Sequence, residues 1–368
     1  MYIEPFGVEQ WMNRYETRCE FNLAETCVAS LSLSQLFDLV GANDPWSPIM
    51  DRAMTYGDIT GSARLRGRVA ALFADQAPEN VLIAHGTIGA NALVYQTLVE
   101  PGDRVVSVVP TYQQHVSMPE SLGADVVQVR LSAEADYALD MDALAQAAKG
   151  AKLIALVNPN NPTGAVLDHA ALTRLAQIAR ENDAWVLCDE VYRGTEQGAP
   201  VPSIRDVYDK SISTGSMSKA FALAGLRLGW IVAAPEVLTA IELHRDYTTI
   251  SVGIVDDHLA ALALEASDLI LARSRQMVRD NAATVAAWVA EHDGVDWVAP
   301  QAGTTALLHY RGDRPSYEVA EAILRDTGVL LTPGGVLGAE GTLRIGYANH
   351  APILKAGLAR LGPWLDSL

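Results

Sequence analysis

Between residues 81 and 233 the chain alternates short apolar runs with polar turns and helical segments. Runs such as 81–84 and 152–157 are too short for typical helices and rich in aliphatic residues, so we predict strands there. Strands that alternate with helices form a mainly parallel sheet covered on both faces. The polar turns then follow the carboxyl ends of the strands, where such sheets bind ligands. The pattern predicts a doubly wound α/β fold.

The rest of the chain predicts a second, smaller α+β domain. With 368 residues the chain exceeds one average domain. Residues 254–290 are predicted to be helical, and the remainder alternates strands and helices. We expect residues 45–255 to form the large domain, and residues 1–44 and 256–368 to form the small one.

The acidic composition excludes several classes of partner. The formal net charge is −17 and the pI is about 4.8, which argues against nucleic acid and anionic membranes. The eight histidines are scattered, so we predict no metal site. The start of the chain has no signal-peptide pattern. The cysteines form no CxxC pair, which suits reduced thiols in a cytoplasmic protein; they are Cys19, Cys27 and Cys188.

Lys219 is the strongest candidate for a reactive group. It ends the segment Ser-Ile-Ser-Thr-Gly-Ser-Met-Ser-Lys (211–219), and it is one of only five lysines. Its small, hydroxyl and apolar neighbours predict desolvation, which lowers the pKa of a lysine and makes it a usable amine nucleophile. The alternative is a lysine at a strand end that reaches the surface.

Three further motifs follow predicted strands. Residues 158–164 (Asn-Pro-Asn-Asn-Pro-Thr-Gly) form either a binding loop or an ordinary connection between a strand and a helix. Asp189 ends an apolar strand, where it either pairs with a cationic ring nitrogen or caps the next element. Residues 85–88 (His-Gly-Thr-Ile) open a helix whose free N–H groups can hold a phosphate.

In this order and spacing the chain resembles the fold-type I pyridoxal-phosphate enzymes, specifically the class I/II aminotransferase family. The resemblance covers nearly the whole chain. It rests on these motifs together with Pro-Thr-Tyr (110–112), Ser-Met-Ser-Lys (216–219), Gly-Leu-Arg-Leu-Gly (225–229) and Leu-Arg-Ile-Gly (343–346). It implies an aminotransferase that moves an amino group between an L-amino acid and a 2-oxo acid, with pyridoxal 5′-phosphate as cofactor.

The resemblance also implies a role for each matching residue. Lys219 would form the Schiff base and then carry the proton. Asp189 would keep the pyridine nitrogen protonated, Asn161 and Tyr192 would hydrogen-bond the phenolic oxygen, and Tyr112 would stack on the ring. The expected phosphate ligands are Gly86, Thr87, Ile88, Ser216, Ser218 and Arg227. Arg344 would hold the substrate carboxylate, while Tyr56 would reach the phosphate in a neighbouring subunit of a homodimer.

Two departures from the family pattern leave the substrate and the reaction open. Glu25 stands where many members carry a glycine, so it either faces a cationic substrate side chain or is a capping glutamate. The segment 245–251 (Arg-Asp-Tyr-Thr-Thr-Ile-Ser), with His85, resembles capreomycidine-synthase-like arginine cyclases. The alternative function is therefore a cyclase or eliminating enzyme that acts on an arginine-like amino acid.

Overall fold

The computed structural model describes residues 2–368, in which thirteen α-helices and thirteen strands are formed. The helices are α1 Gly7–Tyr15, α2 Leu33–Val40, α3 Ser47–Met50, α4 Ala63–Ala70, α5 Gly86–Leu98, α6 Gln114–Ser121, α7 Met141–Ala147, α8 His169–Glu181, α9 Pro235–Arg245, α10 Ile254–Glu265, α11 Ser267–Ala290, α12 Ser316–Thr327 and α13 Ala351–Asp366. The strands are β1 Phe21–Asn22, β2 Val81–Ala84, β3 Arg104–Val109, β4 Asp125–Arg130, β5 Ala151–Val157, β6 Trp185–Asp189, β7 Ser211–Ser216, β8 Gly229–Val232, β9 Val295–Trp297, β10 Thr305–Tyr310, β11 Val329–Leu330, β12 Thr332–Pro333 and β13 Thr342–Gly346.

The large sheet confirms the predicted doubly wound fold. Its seven strands run in the order β2-β8-β7-β6-β5-β3-β4, and β8 is antiparallel to both of its neighbours, whereas β3 to β7 pair in parallel. From β3 the chain moves outward to β4, whereas from β5 it moves the other way through β6 to β7. The direction reverses between β3 and β5, so a crevice for ligands opens beside their carboxyl ends.

Both faces of this sheet are buried, as the apolar runs predicted. Along β5, Ile154 and Leu156 belong to one core cluster and Leu153 and Ala155 to another. Successive strand residues point to opposite faces, and α8 covers one face while α5 covers the other. The polar strand β7 is buried throughout because its residues are small and its hydroxyl groups find partners within the fold.

The second sheet has four antiparallel strands in the order β12-β13-β10-β9. The helices α11, α12 and α13 contribute to its core, together with Trp11 of α1. The short strand β1 pairs with β11, so the start of the chain is joined to its last third.

The helical structure predicted over 254–290 is present. It consists of two helices, α10 and α11, which are separated at Ala266. Leu36 of α2 and Ala260 of α10 lie in one core cluster with Leu65 of α4, across the domain boundaries expected from the sequence. Those boundaries stay predictions. Among residues 2–368, no helix is both long and apolar enough to cross a bilayer.

Trp11 fixes α1 to the small sheet. Its side chain is 1 % exposed, and its indole N–H donates to the carbonyl oxygen of Leu331 at 2.9 Å. We expect Trp11→Ala to lower the free energy of unfolding by about 3–5 kcal/mol, because it removes a large buried ring. Urea unfolding checks this. Gln10→Ala, at an exposed position of the same helix, should change stability by less than about 0.5 kcal/mol; equal losses in the two variants would contradict the role of Trp11.

Candidate active site

A cavity of about 480 Å³ lies at the carboxyl ends of the large-sheet strands, with α1 and residues 24–27 on its other side. It brings together twelve of the residues expected from the sequence. They are Glu25, Thr87, Ile88, Tyr112, Asn161, Asp189, Tyr192, Ser216, Ser218, Lys219, Arg227 and Arg344. Gly86 precedes Thr87 at the cavity wall, whereas Tyr56 does not line the cavity and is 75 % exposed.

Lys219 points into the cavity from the turn after β7. Its ammonium donates to the Thr26 hydroxyl at 2.5 Å and lies 3.5 Å from the Cys27 sulfur. Burial lowers the pKa of Lys219, but its electrostatic interactions with Cys27, Tyr192 and Glu25 outweigh burial, so the pKa lies above its ordinary value. The expectation of a lowered pKa is therefore wrong for the ligand-free protein.

Glu25 is the carboxylate among these three neighbours of Lys219. Burial raises the pKa of Cys27 to about 11 and also raises the pKa of Tyr192, so both are neutral near pH 7. Burial alone would raise the pKa of Glu25, yet the charge of Lys219 and hydrogen bonds from Cys27 and Thr26 lower it. Its Oε1 accepts from the N–H groups of Thr26 at 2.7 Å and Cys27 at 2.8 Å. Glu25 thus caps the backbone and also lines the cavity.

Asp189 is a buried carboxylate at the end of β6. It accepts from the Asn91 side-chain amide at 2.9 Å and from the N–H of Val191 at 3.1 Å, and His115 Nε2 lies 3.6 Å away. Within residues 2–368 no lysine or arginine forms an ion pair with it. A buried carboxylate without a cation is costly, so a ligand that brings a cationic ring nitrogen fits this position.

Asn91 and His115 were not identified as site residues from the sequence. The Asn91 carbonyl accepts from the Thr214 hydroxyl at 2.6 Å, and His115 Nδ1 lies 2.8 Å from the Tyr95 hydroxyl. These contacts orient the two groups that face Asp189. Asn91 carried a signal: it lies four positions after Thr87, hence on the same face of α5.

The residues around the start of α5 form an anion cradle. Gly86 opens α5 with a positive φ of 65°, and the first N–H groups of a helix are free to bind an anion. The Thr87 hydroxyl is buried without a hydrogen-bond partner. Arg227 Nη1 lies 3.0 Å from the Ala224 carbonyl oxygen and 3.5 Å from the Ser218 hydroxyl, while the Ser216 hydroxyl accepts from the N–H of Ser218. These donors fit a phosphate.

Arg344 enters the cavity from β13. Its guanidinium donates to the Asn161 side-chain oxygen at 3.2 Å, to the Thr332 hydroxyl at 3.2 Å and to the Ala24 carbonyl at 3.3 Å. The side chain is buried, which lowers its pKa, and its Nε has no partner. An arginine held in place with a free donor is suited to a carboxylate ligand.

Tyr112 lies on the cavity wall between the large sheet and α1. Its hydroxyl donates to Glu9 at 3.1 Å, and its ring centroid lies 4.7 Å from that of Phe6. The α1 residue Glu9 and the nearby Glu16 line the cavity as well. Neither glutamate was identified from the sequence, because no local motif marks them.

A buried lysine, a buried carboxylate without a cationic partner and a helix N-terminus with a free hydroxyl meet in one cavity. On this α/β fold they define a pyridoxal-phosphate enzyme of fold type I. The comparisons with known proteins agree: the family described as "Aminotransferase class I and II" matches residues 47–353. The chain belongs to that family, whose cofactor is pyridoxal phosphate.

Three similar proteins differ in the reaction that they are named for. A pyridoxal-phosphate-dependent aminotransferase from Streptococcus suis is 38 % identical, with a TM-score of 0.97 over 100 % of this chain and 99 % of that one. Capreomycidine synthase from Streptomyces vinaceus is 28 % identical over 98 % of this chain and 93 % of its own length. The pyridoxal-phosphate-dependent cyclase OrfR is 26 % identical, with a TM-score of 0.93 over 100 % and 98 % of the two chains.

The anion cradle depends on Gly86. A Cβ there would lie 2.9 Å from Arg227 Nη2, at a φ that disfavours alanine. We expect Gly86→Ala to raise the dissociation constant of pyridoxal phosphate about tenfold or more, measured by titrating the apoenzyme and following the cofactor's absorbance. Gly89→Ala, three residues along α5 and without a close contact, is the matched control. Wild-type cofactor affinity in Gly86→Ala would contradict the assignment.

The pKa of Lys219 depends on the charge of Glu25. Because that charge favours the ammonium form, Glu25→Gln should lower the pKa of Lys219. In the apoenzyme, the pH dependence of Lys219 modification by a small amine-reactive reagent, followed by peptide mass spectrometry, should shift to lower pH. Glu120→Gln removes an exposed charge outside the cavity and should leave the profile unchanged. A profile unmoved in Glu25→Gln would show that another group sets the pKa.

Proposed function

We propose that the protein is an aminotransferase that moves an amino group between an L-amino acid and a 2-oxo acid. The arrangement of Lys219, Asp189 and Arg344 around one cavity carries the proposal. It offers an amine, a carboxylate for a cationic ring and a guanidinium for a substrate carboxylate. Membership of the aminotransferase family and the similarity to the Streptococcus suis aminotransferase support it.

The chain supplies the groups that bind the cofactor. When bound, pyridoxal phosphate provides an aldehyde that condenses with amines and a ring that withdraws electrons from the carbon bearing the amine. Thr87, the first N–H groups of α5 and Arg227 would hold its phosphate together with Ser216 and Ser218. Asp189 would pair with the ring nitrogen, and Tyr192 and Asn161 would face the phenolic oxygen.

Lys219 is the proposed acid–base group. Its Nζ would accept the proton from the α-carbon of the substrate and would later donate it to a different carbon atom. The Thr26 hydroxyl, 2.5 Å from Nζ, fixes the direction of the amine. The negative charge of Glu25 raises the proton affinity of Lys219, so the free amine is a strong base.

Arg344 is the proposed carboxylate clamp. Its contacts with Asn161 and Thr332 hold the guanidinium, and its Nε remains available. A carboxylate bound there places the α-carbon of an amino acid inside the cavity that contains Lys219. Because a buried arginine with a lowered pKa lacks a carboxylate partner among residues 2–368, the substrate's own charge offsets its burial.

A cyclase or eliminating enzyme acting on an arginine-like amino acid is the second candidate. The similarity to capreomycidine synthase over 98 % of the chain and to the cyclase OrfR favours it. Both reactions use the same lysine and the same cofactor ligands. They would differ in the fate of the side chain: transamination leaves it intact, whereas cyclisation would break its bond to a leaving group and join a side-chain nitrogen to the same carbon.

We also propose a homodimer with shared sites. Tyr56, Met54 and Met50 form an exposed stretch, at 75 %, 75 % and 70 % exposure. Exposed apolar groups of this kind suit a protein interface, and Tyr56 would then reach the phosphate of the partner subunit. All three cysteines are unpaired, which suits a reducing compartment such as the cytoplasm.

The choice between the reactions is tested with the holoenzyme and a panel of L-amino acids. Transamination should yield the keto acid and, with pyruvate as acceptor, alanine, both detected by mass spectrometry. Lys219→Ala should lose at least about 10³-fold in kcat, because both the amine nucleophile and the base are absent. Lys210→Ala, at a partly exposed lysine outside the cavity, should keep wild-type activity. A ring-closed product without keto acid would favour the cyclase, and Lys219→Ala with full activity would contradict both reactions.

A further inference from the structure

Three carboxylates line the side of the cavity formed by α1 and the segment after β1. They are Glu9, Glu16 and Glu25. Glu9 and Glu16 are seven positions apart, two helical turns, so they project from the same side of α1 and the turn after it. Burial and the negative charges of Glu25 and Glu9 raise the pKa of Glu16. The negative charges of Glu9 and Glu25 therefore act on the Glu16 carboxyl group.

We call these three glutamates, Glu9, Glu16 and Glu25, the carboxylate wall. Their carboxylates have few hydrogen-bond or ion-pair partners within the protein. Among residues 2–368 none of the three forms an ion pair with a lysine or an arginine. Glu9 accepts one hydrogen bond from Tyr112 and Glu25 accepts two from backbone N–H groups, whereas the Glu16 side chain accepts none within the described part of the chain. Several carboxylate oxygens are thus left to face the cavity.

Lys219 is the cation whose charge acts most directly on the wall, through Glu25. In the proposed function Lys219 is the residue that condenses with the cofactor. In that linkage Lys219 would no longer be the free ammonium that faces Glu25 in the ligand-free protein. Glu9 and Glu16 have no lysine or arginine ion pair among residues 2–368 in any case, so a cationic group of the ligand would complement them.

Arg344 gives an independent indication of the ligand. It is 2 % exposed, lines the same cavity, and its Nε has no partner. Its free donor fits a carboxylate. The lining of the cavity therefore offers a guanidinium for a carboxylate and three carboxylates for a cationic group.

We propose that the substrate is an amino acid with a cationic side chain, bound with its α-carboxylate at Arg344 and its guanidinium or ammonium group at the carboxylate wall. This inference rests on the proposed amino-acid chemistry of the site, but not on the choice between transamination and cyclisation. Glu16 and Glu9 are the specificity-determining residues, because their oxygens are the least engaged by the protein. A guanidinium offers five N–H donors and an ammonium three, which match the free oxygens.

Pairs of amino acids with similar shape and different charge test the proposal. Arginine and citrulline form one pair, and lysine and norleucine form the other. Their dissociation constants are measured by titrating the holoenzyme and following the absorbance of the bound cofactor. We expect the cationic member to bind about tenfold or more tightly, because a neutral group leaves the carboxylates of the wall without a cationic partner.

Variants of the wall residues then test whether these residues cause the preference for cationic amino acids. Glu16→Gln, and the double variant Glu9→Gln with Glu16→Gln, should bring the ratio of the citrulline to the arginine dissociation constant toward one. Glutamine retains an acceptor for Tyr112, and the circular dichroism and cofactor absorbance of each variant verify its folding. Glu120→Gln, which removes one exposed charge elsewhere, should keep the wild-type ratio.

The outcomes separate this proposal from the proposed function. Equal affinity for arginine and citrulline in the wild-type protein would overturn the cation site, as would a double variant that keeps the wild-type ratio. Keto acids formed from citrulline and norleucine as readily as from arginine and lysine would support transamination and overturn the cation site. Selective binding of arginine without a keto acid product would support the cation site and contradict transamination.

Discussion

Asp189 places a carboxylate inside the large sheet, and the arrangement of the site depends on how that carboxylate is held. The parallel strands β5, β6 and β7 bring its backbone to the edge where the cavity opens. Asn91 donates to it from α5, and His115 stands behind it. The Asn91 amide is neutral, so it satisfies an oxygen without neutralising the carboxylate. The negative charge that remains suits a ligand with a cationic ring nitrogen.

The same sheet explains why the other groups meet there. The turn after β2 starts α5 and forms the anion cradle, the turn after β5 carries Asn161, and the turn after β7 carries Lys219. Each is a short polar connection at one end of a buried strand, so the strand spacing sets the spacing of the functional groups. The small sheet and the first residues of the chain complete the cavity with Arg344, Thr26 and Glu25.

The sequence predicted the parts of the site that are local. Lys219, Asp189 and the phosphate turn each lie at or just after the end of a strand, and their motifs can be recognised without knowing the tertiary contacts. The contacts that set their chemistry are distant. Thr26 is 193 positions from Lys219, and Glu9 is 103 positions from Tyr112. The sequence neighbours of Lys219 predict a lowered pKa, whereas Cys27, Tyr192 and Glu25, which the fold brings next to it, reverse the direction.

In our proposal, removal of the α-proton and selection of the substrate side chain depend on different residues. Removing the α-proton requires Lys219 and the cofactor ligands, which both candidate reactions share. The next step depends on the side chain of the substrate, because only a side chain with a group to expel can eliminate and close a ring. The side chain is selected by the wall of Glu9, Glu16 and Glu25, which belongs to no strand of the large sheet. The same buried groups are thus compatible with either candidate reaction, and in our proposal Glu9, Glu16 and Glu25 select the side chain of the substrate.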